Sequence, residues 1–324
     1  MRAATCRQYG SPEVLNVEDV RKPTPTADEV LVAVHSTSVT SGDARMRAFK
    51  GAGIFWLPMR LIFGVLRPRN PFPGMEFSGR VTEIGEDVTT FCVGDPVFGM
   101  KIGGANAEYV AMRETAAISV KPTSLGFAEA AVTPFGALSA LAFLRDFAKL
   151  KSGEKILIHG ASGAVGVFAV QIAKHMGATV TGVCSGANVE LVKSLGADEA
   201  IDYTTTDFTQ TQGVHDVILD TVGGTSFSRS KRVLAPNGRH VFVVQDGPQL
   251  LQAIWTSLRP GKRVICGISG GDSTADLVEI AGLIEQGVIM PVVDRTFQLD
   301  AIAEAHRYVE TGRKRGGVVV SVAA

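Results

Sequence analysis

K-I-L-I-H-G-A-S-G-A-V-G-V-F-A-V-Q-I-A-K-H-M-G, from Lys155 to Gly177, is the stretch that decides the fold. Ile156, Leu157 and Ile158 form a short apolar run that ends at Gly160. Such a run before a glycine reads as a buried strand. Gly160, Gly163 and Gly166 punctuate a turn, and Val167, Val170, Gln171, Ile172 and Ala173 carry the pattern into a helix that Gly177 stops. A second strand starts at Ala178. Strand, glycine turn, helix and strand together make a dinucleotide-site hypothesis out of a glycine pattern. Backbone N–H groups in such a turn approach a pyrophosphate, and the helix N-terminus adds partial positive charge. The spelling Ala161-x-Gly163-x-x-Gly166 puts alanine where the usual G-x-G-x-x-G has its first glycine. Gly160, Ala161, Ser162, Gly163, Ala164, Val165 and Gly166 are the expected cofactor-binding turn.

The end of the second strand speaks to the choice of nucleotide. NAD-preferring sites place an Asp or Glu there for the ribose 2′-OH. Here Cys184, Ser185, Gly186, Ala187 and Asn188 contain no acid, and Glu190 falls in the next helix. A carboxylate would repel a 2′-phosphate, so its absence predicts NADPH. Ser185 and Asn188 are expected hydrogen-bond donors, with Lys193 and Tyr203 as further contacts.

From Lys155 onward, strands and helices alternate. Lys155–His159, Thr179–Cys184, Val214–Asp220, Arg239–Val244 and Arg263–Gly267 are expected strands, with helices between most of them. This alternation predicts an α/β fold with a doubly wound parallel sheet whose ligands bind beyond the carboxyl ends of the strands. Val222, with Gly223 and Gly224, follows the Val214–Asp220 strand and is expected near a ribose. Before Pro122 the chain is mostly β. Glu29–Ser38 alternates like a strand with one wet face, Phe77–Ile84 is another strand, and Gly94–Gly99 is a turn leading into a third. Helices are expected at Phe127–Val132 and Ala137–Leu150, broken by Thr133-Pro134-Phe135-Gly136. Asp276–Gln286 is a further helix, the section from Phe297 to Thr311 contains a helical Ala301–Glu310, and Gly317–Val322 is a final strand.

Composition narrows the function. A chain of 324 residues suggests about two domains. Lys+Arg and Asp+Glu each total 32, which argues against a nucleic-acid or anionic-membrane partner. Cys6, Cys92, Cys184 and Cys266 are far apart and form no C-x-x-C. They indicate neither a disulfide framework nor a zinc knuckle, and point to a reducing, cytoplasmic setting. The apolar Ile54–Leu66 segment is interrupted by Arg60 and too short to span a bilayer. It reads as a packing helix or as an apolar insertion over a pocket.

Several motifs outside the glycine turn carry a resemblance. Pro73-Gly74-Met75-Glu76-Phe77-Ser78-Gly79, Val93-Gly94-Asp95-Pro96-Val97-Phe98-Gly99 and Gly104-Ala105-Asn106-Ala107-Glu108-Tyr109-Val110 resemble segments of the medium-chain dehydrogenase/reductase superfamily. So do Leu195-Gly196-Ala197-Asp198, Ile201-Asp202-Tyr203 and Asp294-Arg295-Thr296-Phe297 through Arg307. The chain is most similar to the zinc-independent quinone oxidoreductase branch. The resemblance implies a GroES-like, mostly β catalytic domain over 1–124, completed by 293–324. A Rossmann NADP-binding domain would occupy 125–292. It further implies an active site in the cleft between domains and a homodimer. Zinc-dependent relatives place a Cys and a His ligand where this chain has Thr40 or Ser41 and Met75, so no metal is expected.

Without a Lewis-acid metal, reduction rests on placement and on polarisation of the substrate oxygen. Thr40, Ser41, Asp43 and Arg45, in V-T-S-G-D-A-R, resemble the family segment near the nicotinamide and are the expected catalytic group. Thr40 is the candidate to polarise a carbonyl, while Asp43 also suits a helix cap. Thr133, beside Pro134, matches a segment that approaches the nicotinamide. Gly267 and Ile268 resemble the loop beside its amide. The expected function is an NADPH-dependent reductase of a quinone or an α,β-unsaturated carbonyl. The alternatives are an enoyl-thioester reductase, a catalytically inactive cofactor-binding protein and, less compatible with the missing zinc ligands, an alcohol dehydrogenase.

Overall fold

The computed structural model describes residues 1–49, 56–211, 213–267 and 273–322. The chain divides into two compact units between Phe135 and Gly136. The first comprises Met1–Phe135 together with the helix Thr274–Glu285 and the chain from Pro291 on; the second starts at Gly136.

The first unit is a β structure. β1 (Arg2–Cys6) and β2 (Leu15–Asp19) pair as an antiparallel ribbon. β3 (Glu29–Ser38) has the bounds that its alternation predicts. α1 (Ser41–Ala48) and α2 (Trp56–Phe63) follow. Then come β4 (Glu76–Ile84), β5 (Pro96–Met100), β6 (Tyr109–Arg113) and β7 (Ile118–Val120). α3 (Phe127–Ala131) covers β3 and β4. The large sheet runs β14-β15-β3-β4-β5-β7, with β6 pairing β3. Its first two members are β14 (Val293–Gln298) and β15 (Gly317–Ser321), the last strands of the chain. Val318 and Val320 join Ala4, Cys6, Val39 and Ala44 in one buried cluster.

The second unit is a six-stranded, wholly parallel sheet in the order β10-β9-β8-β11-β12-β13. After α4 (Pro134–Ala142), β8 (Lys155–His159) and β9 (Thr179–Cys184) flank α5 (Gly166–His175). α6 (Val189–Ser194), β10 (Glu199–Asp202), β11 (His215–Asp220) and α7 (Phe227–Ser230) come next. β12 (Leu234–Phe242), α8 (Gly247–Ser257) and β13 (Arg263–Cys266) complete the sheet. Leu157, Val183, Ile218 and Phe242 are fully or nearly fully buried, which explains why these strands read as continuous apolar runs.

Some boundaries differ from the sequence reading. α4 begins at Pro134 itself, because proline lacks the N–H that a first-turn residue leaves unpaired anyway. The expected helical section Ala301–Glu310 is α10 (Ile302–Glu310), and Phe297 before it lies in β14. α9 (Thr274–Glu285) packs on β7, with Thr274 Oγ1 donating to the Thr115 carbonyl at 2.9 Å. Residues 125–135 and α9, expected with the Rossmann domain, therefore lie in the first compact unit. Of the apolar segment, α2 is described, whereas Ile54 lies outside the described residues. Among the described residues no helix is long and apolar enough to cross a membrane.

Candidate active site

β8 is the switch point of the parallel sheet. The strands that follow it step first to one side, to β9 and β10, and then to the other, to β11 and β12. Ligands bind at such points, beyond the carboxyl ends of the strands. At that end of β8 the chain turns sharply. Gly160 takes φ +79°, in the left-handed region, and its N–H and that of Ala161 donate to the Val183 carbonyl at 3.0 and 3.1 Å. Gly163 N–H then donates to the Gly160 carbonyl at 3.0 Å. A Cβ on Gly166 would be driven into that same carbonyl oxygen, so α5 can start there only without a side chain. No side chain caps the N-terminus of α5. This is a backbone cradle at a helix N-terminus, and a pyrophosphate fits it.

The tip of β9 carries a polar set that spans the turn. Asn188 Nδ2 donates to Ser162 Oγ and to Ser185 Oγ, each at 3.1 Å. Ser162, Ser185 and Asn188, named separately from the sequence, are thus one hydrogen-bonded group. Tyr203 N–H donates to the Cys184 carbonyl at 3.0 Å, which fixes the backbone beside this tip, and the residue is 58% exposed. Lys193 is exposed in the last turn of α6, where its charge complements the helix C-terminus. Sequence reading found no acid here, yet the structure brings one in from the neighbouring strand. Asp202 pairs across β10–β9 with Cys184. Its Oδ1 accepts from Thr204 N (2.9 Å) and Thr204 Oγ1 (2.7 Å). These bonds and the Gly186 N–H hold the carboxyl below its ordinary range.

On the other side of β8, Val222 is 53% exposed and Gly223 takes φ +86°. The two follow Asp220, a fully buried carboxylate. Asp220 Oδ1 accepts from Val222 N (3.0 Å) and Gly223 N (2.9 Å), and pairs with His159 Nδ1 at 3.0 Å. Its Oδ2 accepts from Thr225 N at 3.0 Å and Thr225 Oγ1 at 2.5 Å. Burial opposes ionisation, but the His159 and Thr225 side chains and the Gly223 N–H outweigh it and hold the carboxyl far below its usual range. Gly267 accepts from Gln245 Nε2 at 3.0 Å and packs so closely on the Phe147 ring that a Cβ would clash. Ile268 lies outside the described residues.

In the first unit, Thr40 caps α1. Its Oγ1 accepts from Asp43 N at 3.0 Å, while Asp43 Oδ2 accepts from Thr40 N at 2.8 Å, a reciprocal capping box. Thr40 Oγ1 also donates to Asp43 Oδ2 at 2.6 Å and lies 3.7 Å from Met75 Sδ. With Asp43 ionised, the single hydroxyl proton of Thr40 is spent on it. Ser41 and Arg45 are exposed on the same helix. Thr133 is fully buried and its Oγ1 donates to the Glu129 carbonyl at 2.7 Å, so its hydroxyl proton is spent within the helix turn.

Beneath this group lies Glu76, which sequence reading quoted in a motif but gave no role. Its carboxylate accepts from Ser38 Oγ and from Phe135 N–H (2.7 Å). Burial raises it to about 7, and burial also raises Asp43 to about 6. Lys314, buried beside them, is pushed down to about 8 by desolvation. The apolar strand residues around Glu76 hid it in the sequence; the motif's Glu after Gly74-Met75 was the available signal. Among the described residues no three His, Cys, Asp or Glu side chains gather as a metal site.

A glycine cradle at the switch point of a parallel sheet, in a chain that also carries a GroES-like β unit, defines a nicotinamide-dependent oxidoreductase architecture. Comparison with known proteins agrees. A family described as "Alcohol dehydrogenase GroES-like domain" matches residues 26–142, and one described as "Zinc-binding dehydrogenase" matches 195–320. The 2-methylene-furan-3-one reductase of Solanum lycopersicum is 32% identical over 99% of this chain and 79% of its own length. The mitochondrial NAD(P)H oxidoreductase RTN4IP1 of Mus musculus is 34% identical over 99% of this chain and 89% of its own. The solved structure of the quinone oxidoreductase from Coxiella burnetii superposes with a TM-score of 0.87 at 30% identity, covering 100% of this chain and 99% of that one. The chain belongs to the medium-chain dehydrogenase/reductase superfamily, in its quinone oxidoreductase-like branch, and with that family come oxidoreductase chemistry and a nicotinamide cofactor.

Proposed function

We propose that the protein is an NADPH-dependent reductase that delivers hydride to a quinone or an α,β-unsaturated carbonyl without a catalytic zinc. The observation that carries this reading is the Ser162–Asn188–Ser185 group at the tip of β9. With both Asn188 amide protons given to the two hydroxyls, the Ser162 and Ser185 protons are free to point at a 2′-phosphate. Asp202 is the nearby carboxylate; it accepts from Thr204 and from the Gly186 N–H, and its charge, which repels a 2′-phosphate, is what the two hydroxyl donors must outweigh. Tyr203 and Lys193 flank the same edge.

The bound dihydronicotinamide supplies the hydride. The turn from Gly160 to Gly166 holds the pyrophosphate, and Val222, Gly267, Ile268 and Thr133 are assigned to the nicotinamide half. Ser41, exposed at the start of α1, donates to the substrate oxygen, where conjugation gathers the negative charge. Thr40 joins it when Asp43 carries a proton, a state that the raised Asp43 carboxyl reaches at about pH 6. Asp43 holds the turn in place, and Arg45 faces the substrate side. Met75, and Thr40 or Ser41, take the positions that resemble the ligand positions of zinc-dependent relatives, and a thioether and a hydroxyl are poor zinc donors. A homodimer in a reducing, cytoplasmic setting completes the proposal.

The test is NADPH oxidation, followed by its near-ultraviolet absorbance, with a quinone, a short enal and an enoyl thioester offered separately and NADH as control. Turnover of the quinone or the enal, faster with NADPH, is expected. Turnover of the thioester alone would replace this reading with a thioester reductase. Tight NADPH binding without turnover of any acceptor would replace it with a non-catalytic protein.

A further inference from the structure

We propose that Asp220 is a positioning residue for the cofactor: its carboxylate fixes the Thr221–Thr225 loop against the first glycine of the nucleotide turn. This rests on the cofactor reading above and assigns a role to a residue that touches no expected ligand itself. Four donors of one loop converge on this side chain, namely Val222 N, Gly223 N, Thr225 N and Thr225 Oγ1, and His159 Nδ1 makes a fifth. An ionised carboxylate accepts on both oxygens, three contacts sharing Oδ1 and two meeting Oδ2, whereas the amide of Asn has one acceptor oxygen and turns an NH2 towards donors that need an acceptor.

The protons of the network can be assigned from this geometry. An ionised carboxylate only accepts, so His159 donates through Nδ1–H. Thr225 Oγ1 gives its one proton to Asp220 Oδ2 and must therefore accept from His240 Nε2, 3.0 Å away. His240 is then the neutral Nε2–H tautomer. That agrees with burial pushing its imidazole down to about 4 and with its Nδ1 being buried and unpaired.

The loop so held is in contact with the cradle. Thr221 N–H and Oγ1 both donate to the His159 carbonyl, at 3.1 and 2.8 Å. A Cβ on Gly160 would lie 2.5 Å from Thr221 Oγ1 and from Val222 Cγ2. Asp220, the loop and the first glycine of the turn therefore form one rigid series. It stands on the β11 side of β8, away from the Ser185–Asn188 tip of β9 that is assigned to the adenosine ribose. Loosening the loop disturbs the nicotinamide half of the site and leaves the adenosine half in place.

The experiment measures the affinity of NADPH, by its fluorescence, and of adenosine 2′,5′-bisphosphate, by calorimetry, for the full chain and for Asp220→Asn. Thr225→Val, which keeps the carboxylate and removes one donor, is the milder second variant. The wild-type protein binding both probes establishes the cofactor reading separately. Asp220→Asn is expected to weaken NADPH about tenfold, Thr225→Val about threefold, with the bisphosphate affinity and the substrate KM unchanged in both. Wild-type NADPH affinity in folded Asp220→Asn would overturn the assignment. So would equal weakening of both probes, the mark of general collapse. Failure of the wild-type protein to bind either probe would remove the cofactor reading and this inference with it.

Discussion

Replacing Glu76 with Gln should make the protein more stable at alkaline pH and leave it unchanged in acid. Burial raises the Glu76 carboxyl from its ordinary 4.5 to about 7, although Ser38 and the Phe135 N–H work the other way. The folded state therefore holds this proton more tightly than the unfolded chain does. Stability from this group is complete below about pH 4.5, drains away as pH rises to about 7, and is level beyond. At 1.36 kcal/mol per pKa unit the loss is about 3 kcal/mol. The groups facing Glu76 are Ser38 from β3, Asp43 from α1, Phe135 N–H from α4 and Lys314 from the approach to β15. Gln retains an oxygen for the Phe135 N–H and offers an amide proton to Ser38 Oγ, so both contacts of this side chain are kept. Asp43, raised by burial to about 6, adds a pH slope of the same sign in both proteins. The assay is urea unfolding across a pH series. Trp56 lies in the first unit and Trp255 in the second, so in a Trp255→Phe background the fluorescence reports the unit that contains Glu76. The two curves should coincide near pH 4.5 and separate by about 2–3 kcal/mol in favour of Gln near pH 8. A constant offset at every pH would refute the reasoning.

Two further outcomes rest on a glycine of the cradle and on a buried imidazole. Gly166→Ala drives a methyl into the Gly160 carbonyl and should reduce NADPH binding at least a hundredfold, measured by cofactor fluorescence; binding within about threefold of wild type would show that the cradle is not the site. His306 is fully buried with both ring nitrogens unpaired, and burial together with the Arg47 charge pushes its imidazole down to about 3. Its unfolded value is near 6.5, so wild-type stability falls as pH drops from about 6.5 towards 3. His306→Leu should remove that fall, worth about 3 kcal/mol at pH 4 in urea midpoints, and an unchanged acid slope would count against it.

How much of this was legible in the sequence depends on the range of the interactions. The bounds of β3, β8 and β9 and the glycine cradle are local facts, written in alternation, apolar runs and spacing. Ser185 and Asn188 were readable as neighbours of the strand tip, but the bond from Asn188 to Ser162 was not, because 26 positions separate the two in sequence. Asp202 escaped notice at the β9 tip because it belongs to the next strand and reaches Gly186 only through parallel pairing. Asp220 was hidden for another reason: four of its five partners belong to its own loop, and such bonds leave no pattern of residue types. Glu76 sits among apolar strand residues and becomes conspicuous only when Ser38, Asp43 and Lys314 close over it. Thr40 shows the reverse case. Its residue type suggested a free hydroxyl, and the fold uses that hydroxyl to begin a helix.

The order in which the strands appear along the chain also sets the order in which the two units can be completed. Every strand of the parallel sheet lies between Lys155 and Cys266, so its pairings close over modest loops. The other sheet is different: β15 lies between β14 and β3, with Val319 opposite Ser38 across 281 residues of chain. Long-range pairings of this kind form slowly. During synthesis β6 can cover Glu29–Ala33 on that side of β3, but the Ser36–Ser38 end stays unpaired until β15 has left the ribosome, while the parallel sheet is already able to fold. Shielding of that waiting edge, rather than formation of the nucleotide fold, is then the step at which a chaperone would matter and at which a C-terminal truncation would turn the first unit towards aggregation.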